Sequence, residues 1–156
     1  GGRPLPVTRV TVEGAVAARP ETVFRAVTDV EHLPELDDQI VGIEFLTDQR
    51  SGRGTRFRET RSMNGREMVT ELEITEWVEG ERARMVADTH GTVWDTLFTV
   101  RPDGAGCVLV IDMDARPHKL LPRIMNPLMK RFFRKGIEGH VEKVRAHCER
   151  VEAAGE

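Results

Sequence analysis

The sequence predicts an α+β domain: a seven-stranded, curved antiparallel sheet wrapped around one long C-terminal helix, with two short helices between strands 1 and 2. Three observations predict it. Apolar residues alternate with period two through most of the chain, the signature of half-buried strands. An Asn64-Gly65 dipeptide joins two long alternating segments, as a tight hairpin requires. From Pro127 onward the apolar residues recur at spacings of three and four, the repeat of an amphipathic helix. A chain of 156 residues is long enough for one domain with its own core, taken as residues 7–153 with flexible tails at 1–6 and 154–156.

Val10, Val12, Gly14 and Val16 alternate with polar or small partners across 7–17, giving the first strand. Pro20 opens a helix running through Asp29, with Val23, Phe24 and Val27 on its buried stripe. Residues 31–38 form a second short helix or turn, broken near Pro34. Residues 40–48 are the next strand, and 49–54 a loop. Residues 55–63 and 66–78 are the hairpin strands. A type I′ turn at Asn64-Gly65 puts Met63 opposite Arg66, so Arg58 faces Glu71 and Arg56 faces Glu73 on one side. Phe57, Glu59 and Arg61 then share the other side with Met68, Thr70, Leu72 and Ile74, and this side is read as interior. Residues 82–88, 92–101 and 107–116 complete the sheet. Both faces of these strands are apolar, and the aromatics favour Trp94, Thr96 and Phe98 as the inward set. The long helix is expected over 127–153, with Asn126 as N-cap and Pro127 at its first position. Its stripe runs through Leu128, Met129, Phe132, Gly136, His140, Val144, Cys148 and Val151. A sheet curled around a single helix leaves space between them, which is the expected cavity.

Composition narrows the function. Hydrophobic residues are 39% and charged residues 31%, the balance of a folded domain. A net charge of −3 argues against a dedicated nucleic-acid binder. No apolar run reaches the roughly 20 residues of a membrane span, and no signal-peptide pattern opens the chain. Cys107 and Cys148 share no motif and read as free thiols of a cytoplasmic protein. No metal and no cofactor is expected. Gly52-x-Gly54 and Gly104-x-Gly106 do not continue into nucleotide loops, and His140 and His147 lie too far apart along a helix for one ion.

Glu59 and Arg61 are the candidate catalytic pair. On an interior face they would anchor a ligand's polar group or act as acid and base; at an open rim they would simply reach water. His90, near Asp88 and Asp95, reads as a solvated turn residue. Asp112 with Asp114, and separately Glu35, Asp37 and Asp38, read as solvated acids. Residues 115–137 contain seven Lys or Arg and no acid, interleaved with Leu120, Leu121, Ile124, Met125, Leu128, Met129, Phe132 and Phe133. Basic plus bulky apolar is the pattern of a segment that meets an anionic membrane surface, with Arg123, Lys130, Arg131, Arg134 and Lys135 as contacts; the alternative is a helix with one core side and one solvated side.

Residues 12–24 (VEGAVAARPETVF), Thr28-Asp29-Val30-Glu31 with Leu33-Pro34, Gly54-Thr55-Arg56, Glu73-Ile74-Thr75-Glu76, and Phe98 to Pro102 ahead of Gly104-x-Gly106 resemble the START-like SRPBCC superfamily, in its polyketide cyclase/dehydrase and lipid-transport branch. Leu36 stands where that family usually has Trp, and the chain has no Tyr. The resemblance implies a helix-grip fold holding a hydrophobic small molecule: lipid, quinone or polyketide-like. It implies a carrier or sensor or, alternatively, a cyclase/dehydrase-type enzyme in the same cavity. A protein-interaction module using segment 116–135 is the third reading. Expected lining residues are Phe57, Glu59, Arg61, Met68, Thr70, Leu72, Trp94, Thr96, Phe98, Leu128, Phe132 and His140. The protein is expected to be a monomer or homodimer, cytoplasmic or peripheral to a membrane.

Overall fold

Alternation does become a sheet in the computed structural model, which describes residues 7–155. The expected tail at 1–6 lies outside the described residues. The strands are β1 (Thr8–Val16), β2 (Ile40–Phe45), β3 (Arg56–Met63), β4 (Arg66–Val78), β5 (Arg82–Thr89), β6 (Thr92–Asp103) and β7 (Gly106–Pro117). They form one antiparallel sheet in the order β1-β7-β6-β5-β4-β3-β2. Helix α1 (Pro20–Thr28), a single 3-10 turn at Val30–His32 and the short α2 (Leu33–Leu36) connect β1 to β2. Helices α3 (Leu120–Leu128) and α4 (Lys130–Ala153) close the chain.

The hairpin register is as the turn dictates: Met63 opposite Arg66, Arg58 opposite Glu71, Phe57 opposite Leu72. Asn64 and Gly65 both have positive φ (52° and 78°), which a type I′ turn demands. On the outer face Arg58 Nη2 lies 3.0 Å from Glu71 Oε1, and Arg56 reaches diagonally to the same Glu71 at 3.7 Å. A bulge at Thr75 in β4 inserts one residue, so that Ile74 and Trp77 both face inward.

Burial on the concave face divides into two clusters. The first joins Val10, Val12 and Val16 of β1, Leu109 and Ile111 of β7, α1, and Val141, Val144 and Cys148 of α4. The second joins Val30, Leu33, Ile40, Phe57, Ile74 and Met85. Trp77 and Phe98 touch both. Helix α4 lies closest to β1 at Gly14, where a Cβ would come within 2.5 Å of Val141 Cγ1. Side chains of α4 also reach the backbone of β1 and of the residue just after it: Arg134 Nη1 donates to Thr11 O (3.0 Å), Arg145 Nε donates to Ala15 O (2.8 Å), and Glu149 accepts from Ala17 N (3.2 Å).

The helical end corrects one expectation. Asn126 and Pro127 do not start the long helix; they lie inside α3. The Asn126 amide is buried and donates to Thr92 Oγ1 (3.1 Å), so it serves a tertiary contact and not a cap. The chain breaks at Met129 (φ −93°, ψ 2°), and α4 starts afresh at Lys130. That break shifts the first half of the expected stripe by one residue: Phe133 and Ile137 pack inward, while Leu128 and Phe132 are 73% and 58% exposed.

Candidate functional site

Asp37 is the hub of the concave face. It ends α2, where its backbone N–H donates to Leu33 O (2.9 Å), and its side chain accepts the Gln39 N–H two residues on (3.0 Å). This is the side-chain turn that Asp forms readily, and it steers the chain from α2 into β2. Its neighbours Leu36 and Ile40 are buried, which draws the Asp37 side chain to 2% exposure.

A carboxylate so enclosed needs partners, and three side chains supply them. His140 Nδ1 lies 3.0 Å from Asp37 Oδ2 and Lys143 Nζ 2.8 Å from Asp37 Oδ1; their i, i+3 spacing puts both on one face of α4. Arg61 Nη1 of β3 is 3.4 Å from Asp37 Oδ2, and Arg61 Nε donates to Glu59 Oε1 at 2.8 Å. Burial would push the Asp37 carboxyl up. The hydrogen bonds from His140, Lys143 and the Gln39 amide, with the charge of Arg61, outweigh it and hold the group far below the usual carboxylate range. Lys143 is raised, chiefly by its hydrogen bond to Asp37.

Asp37 is acceptor-only, so the His140 ring donates from Nδ1 and, when neutral, keeps Nε2 as a free acceptor. Nε2 makes no hydrogen bond among the described residues. Beside the cluster, Thr70 stands opposite Glu59, and Leu72, Trp94, Thr96, Phe98, Met113 and Phe133 continue the concave face. All of these keep partial solvent access although they face the helix layer. Trp94 and Phe133 meet edge to face, 5.1 Å between centroids. The result is a partly solvent-open apolar face with one polar wall, the candidate cleft.

Of the residues expected to line a cavity, the structure brings Glu59, Arg61, Thr70, Leu72, Trp94, Thr96, Phe98 and His140 to this concave region. Phe57 is sealed in the second cluster behind it. Met68 is 48% exposed near the hairpin tip, and Leu128 and Phe132 lie outside the sheet–helix interface. Glu59 and Arg61 do not hang free at a rim, since both belong to the network around Asp37. Sequence reasoning missed Asp37 and Lys143. The available signals were an Asp directly after an apolar helix residue at a helix-to-strand junction, and a Lys three residues after an inward His.

Elsewhere the polar groups have simpler roles. His90 is exposed at the β5–β6 turn, and Asp88 pairs with His118 (2.7 Å). Asp112 accepts from Thr11, and Asp114 pairs with Arg9. Cys107 and Cys148 are buried free thiols, and burial pushes Cys148 up to about 12. Among the described residues no group of three His, Cys, Asp or Glu could hold a metal ion, and no helix is long and apolar enough to cross a membrane. A groove of about 470 Å³ between α1 and the far half of α4 is lined by Arg19, Thr22, Arg25, His147 and Val151, away from the cleft.

Helix α3 lies at the sheet end that carries the Asn64-Gly65 and His90-Gly91 turns. Leu120, Leu121, Ile124 and Leu128 are each more than half exposed there. Among the described residues, Lys119, Arg123, Lys130, Arg131 and Lys135 are exposed and form no ion pair, while Arg116 and His118 are committed to Asp95 and Asp88.

The family described as polyketide cyclase / dehydrase and lipid transport matches residues 7–149. No curated protein sequence matches the chain. Similar solved structures include a START superfamily protein from Mycobacterium smegmatis (20% identity, TM-score 0.76, covering 92% of this chain and 98% of that one). The di-domain aromatase/cyclase StfQ of the steffimycin biosynthetic pathway aligns at 16% identity and TM-score 0.79, over 96% of this chain and 52% of its own. Norcoclaurine synthase from Thalictrum aligns at 14% identity and TM-score 0.74, over 94% and 97%. At these identities the likeness is one of fold.

Proposed function

The chain belongs to the polyketide cyclase / dehydrase and lipid transport family, and on that premise we propose that it carries or senses a hydrophobic small molecule of lipid, quinone or polyketide type in the cleft between the sheet and α4. One observation carries the reading. Trp94, Phe98 and Leu72 of the sheet and Phe133 of α4 lie between the two layers yet stay partly open to solvent. Apolar side chains aimed at a core normally close on one another; these stay partly open, as the walls of a ligand site would. Native mass spectrometry of the freshly purified protein, with extraction of what co-purifies, tests the reading. The expected result is a bound apolar molecule, or saturable uptake of Nile red that other hydrophobes displace. Failure to bind any member of a lipid, sterol, quinone and polyketide panel counts against it.

The same reading extends to exchange of the ligand at an anionic membrane surface, by a cytoplasmic protein that is peripheral when it docks. Support comes from α3, whose exposed Leu and Ile side chains stand among unpaired Lys and Arg. Apolar insertion plus attraction to anionic lipid is how such a helix binds in the plane of a bilayer.

A cyclase/dehydrase-type enzyme is the second reading. It is favoured by Asp37 holding His140 with Nε2 unbonded beside Glu59 and Arg61, the arrangement of a base with its orienting carboxylate. An enzyme would lose turnover on His140→Gln while still binding ligand; a carrier has no turnover to lose.

A further inference from the structure

We infer that the polar end of the ligand is uncharged: a hydroxyl or a carbonyl, not a carboxylate or a phosphate. This rests on the cleft being the ligand site. The cationic groups of the polar wall are already committed. Arg61 is divided between Glu59 (2.8 Å) and Asp37 (3.4 Å), and Lys143 between Asp37 (2.8 Å) and Asp38 (2.9 Å). The two cations Arg61 and Lys143 are matched by the two enclosed carboxylates Asp37 and Glu59, and the exposed Asp38 adds a third carboxylate to the wall. An entering anion would compete with Asp37 and Glu59 for the charge of Arg61 and Lys143, weakening the pairing of the 2%-exposed Asp37 carboxylate.

The hydrogen bonds left open give the same answer. His140 Nε2 and the second oxygen of Glu59 accept, and the outer nitrogen of Arg61, Nη2, donates; none of them has a partner among the described residues. His140 and Arg61 both touch Asp37 Oδ2, so both belong to the same polar wall. A hydroxyl satisfies such a set, since it gives a proton to an acceptor and takes one from Arg61. A carbonyl takes the Arg61 proton alone. A carboxylate has no proton to give and would bring its charge against two acceptors. The basic residues of α3 and early α4 do not alter this, because they lie outside the cleft.

Displacement of bound Nile red from the full chain at pH 8 tests the inference, comparing dodecan-1-ol with dodecanoate. An apolar cavity of any kind prefers the alcohol, so the decisive quantity is how the alcohol-to-acid preference changes when the wall is recharged. Glu59→Gln removes one enclosed anion and should shrink the preference at least fivefold. Arg61→Gln removes a cation and should widen it by a similar factor, so either variant is decisive by itself if the other fails to fold, as judged by its melting curve. A preference that is the same in a folded variant and the parent overturns the inference, as does dodecanoate displacing the probe from the parent as well as the alcohol does. If Nile red itself does not bind the parent, the cleft reading fails first, and the two failures are thereby distinguished.

Discussion

Arg61 and Lys143 on the cleft wall, and Lys119, Arg123, Lys130, Arg131 and Lys135 along α3 and the start of α4, are similar side chains in opposite electrostatic circumstances. The first two are each held between two carboxylates. The other five form no ion pair among the described residues, in a stretch from 115 to 137 that contains no acid. A charge that is matched inside the molecule shapes structure and rejects ions. A charge left unmatched on the surface is available to something outside it. The chain as a whole carries net −3, so the basic end is a local polarity and not a property of the composition.

The largest expected effect comes from breaking the matched side. Asp37→Asn removes the carboxylate that Arg61, His140 and Lys143 share, and should cost about 3–5 kcal/mol of unfolding free energy at pH 7 in urea titrations. The pH dependence carries the sign. The folded Asp37 carboxyl titrates below its ordinary value of 3.8, so its contribution is complete above that value and is lost as the pH falls below it toward the folded value. The gap between parent and variant should therefore narrow between pH 4 and pH 2. A gap that stays constant there would remove Asp37 as the hub.

On the unmatched side, replacing Lys130, Arg131 and Lys135 with Gln should weaken binding to phosphatidylserine-rich vesicles roughly a hundredfold at low salt, since each basic residue near such a surface contributes about a fivefold factor. Melting temperature should hardly change. Raising the salt to 1 M should erase the difference. Arg134 is left in place because it bonds Thr11 O and its loss would loosen α4. A parent protein that ignores such vesicles at low salt would reduce α3 to a solvated face.

The smallest effects sharpen the contrast between the packed and open sides of the helix layer. Gly14→Ala forces a Cβ against Val141 and should destabilise by about 1–3 kcal/mol. Gly136→Ala meets nothing within 4 Å in the middle of α4 and should stabilise by roughly 0.5–1 kcal/mol. Thermal melting distinguishes the two signs.

These regions also differ in how far the sequence revealed them. The hairpin was legible because Asn-Gly admits few backbone geometries, and one turn then determines the neighbour of every residue from Arg56 to Glu73. Glu59, Arg61 and His140 were legible as polar residues on apolar faces. Asp37 was not, because acids after a short helix are usually solvated, and only the three-dimensional approach of α4 to the α2–β2 junction encloses it. The phase of early α4 was illegible for a related reason. Pro127 resembles a helix start, but the contact between Asn126 and Thr92, formed across 34 residues, holds it inside α3.

The grip of α4 on β1 also restricts how two copies of this chain could assemble. A sheet extends from one molecule to the next by offering unpaired carbonyl and N–H groups along its outermost strand. On β1 the carbonyls of Thr11 and Ala15 are taken by Arg134 and Arg145, and just past its end the Ala17 N–H is taken by Glu149. The opposite border, β2, is six residues long and bulged beside Val41. Neither border offers a long, regular template, so the seven strands resist continuation into the sheet of a second copy.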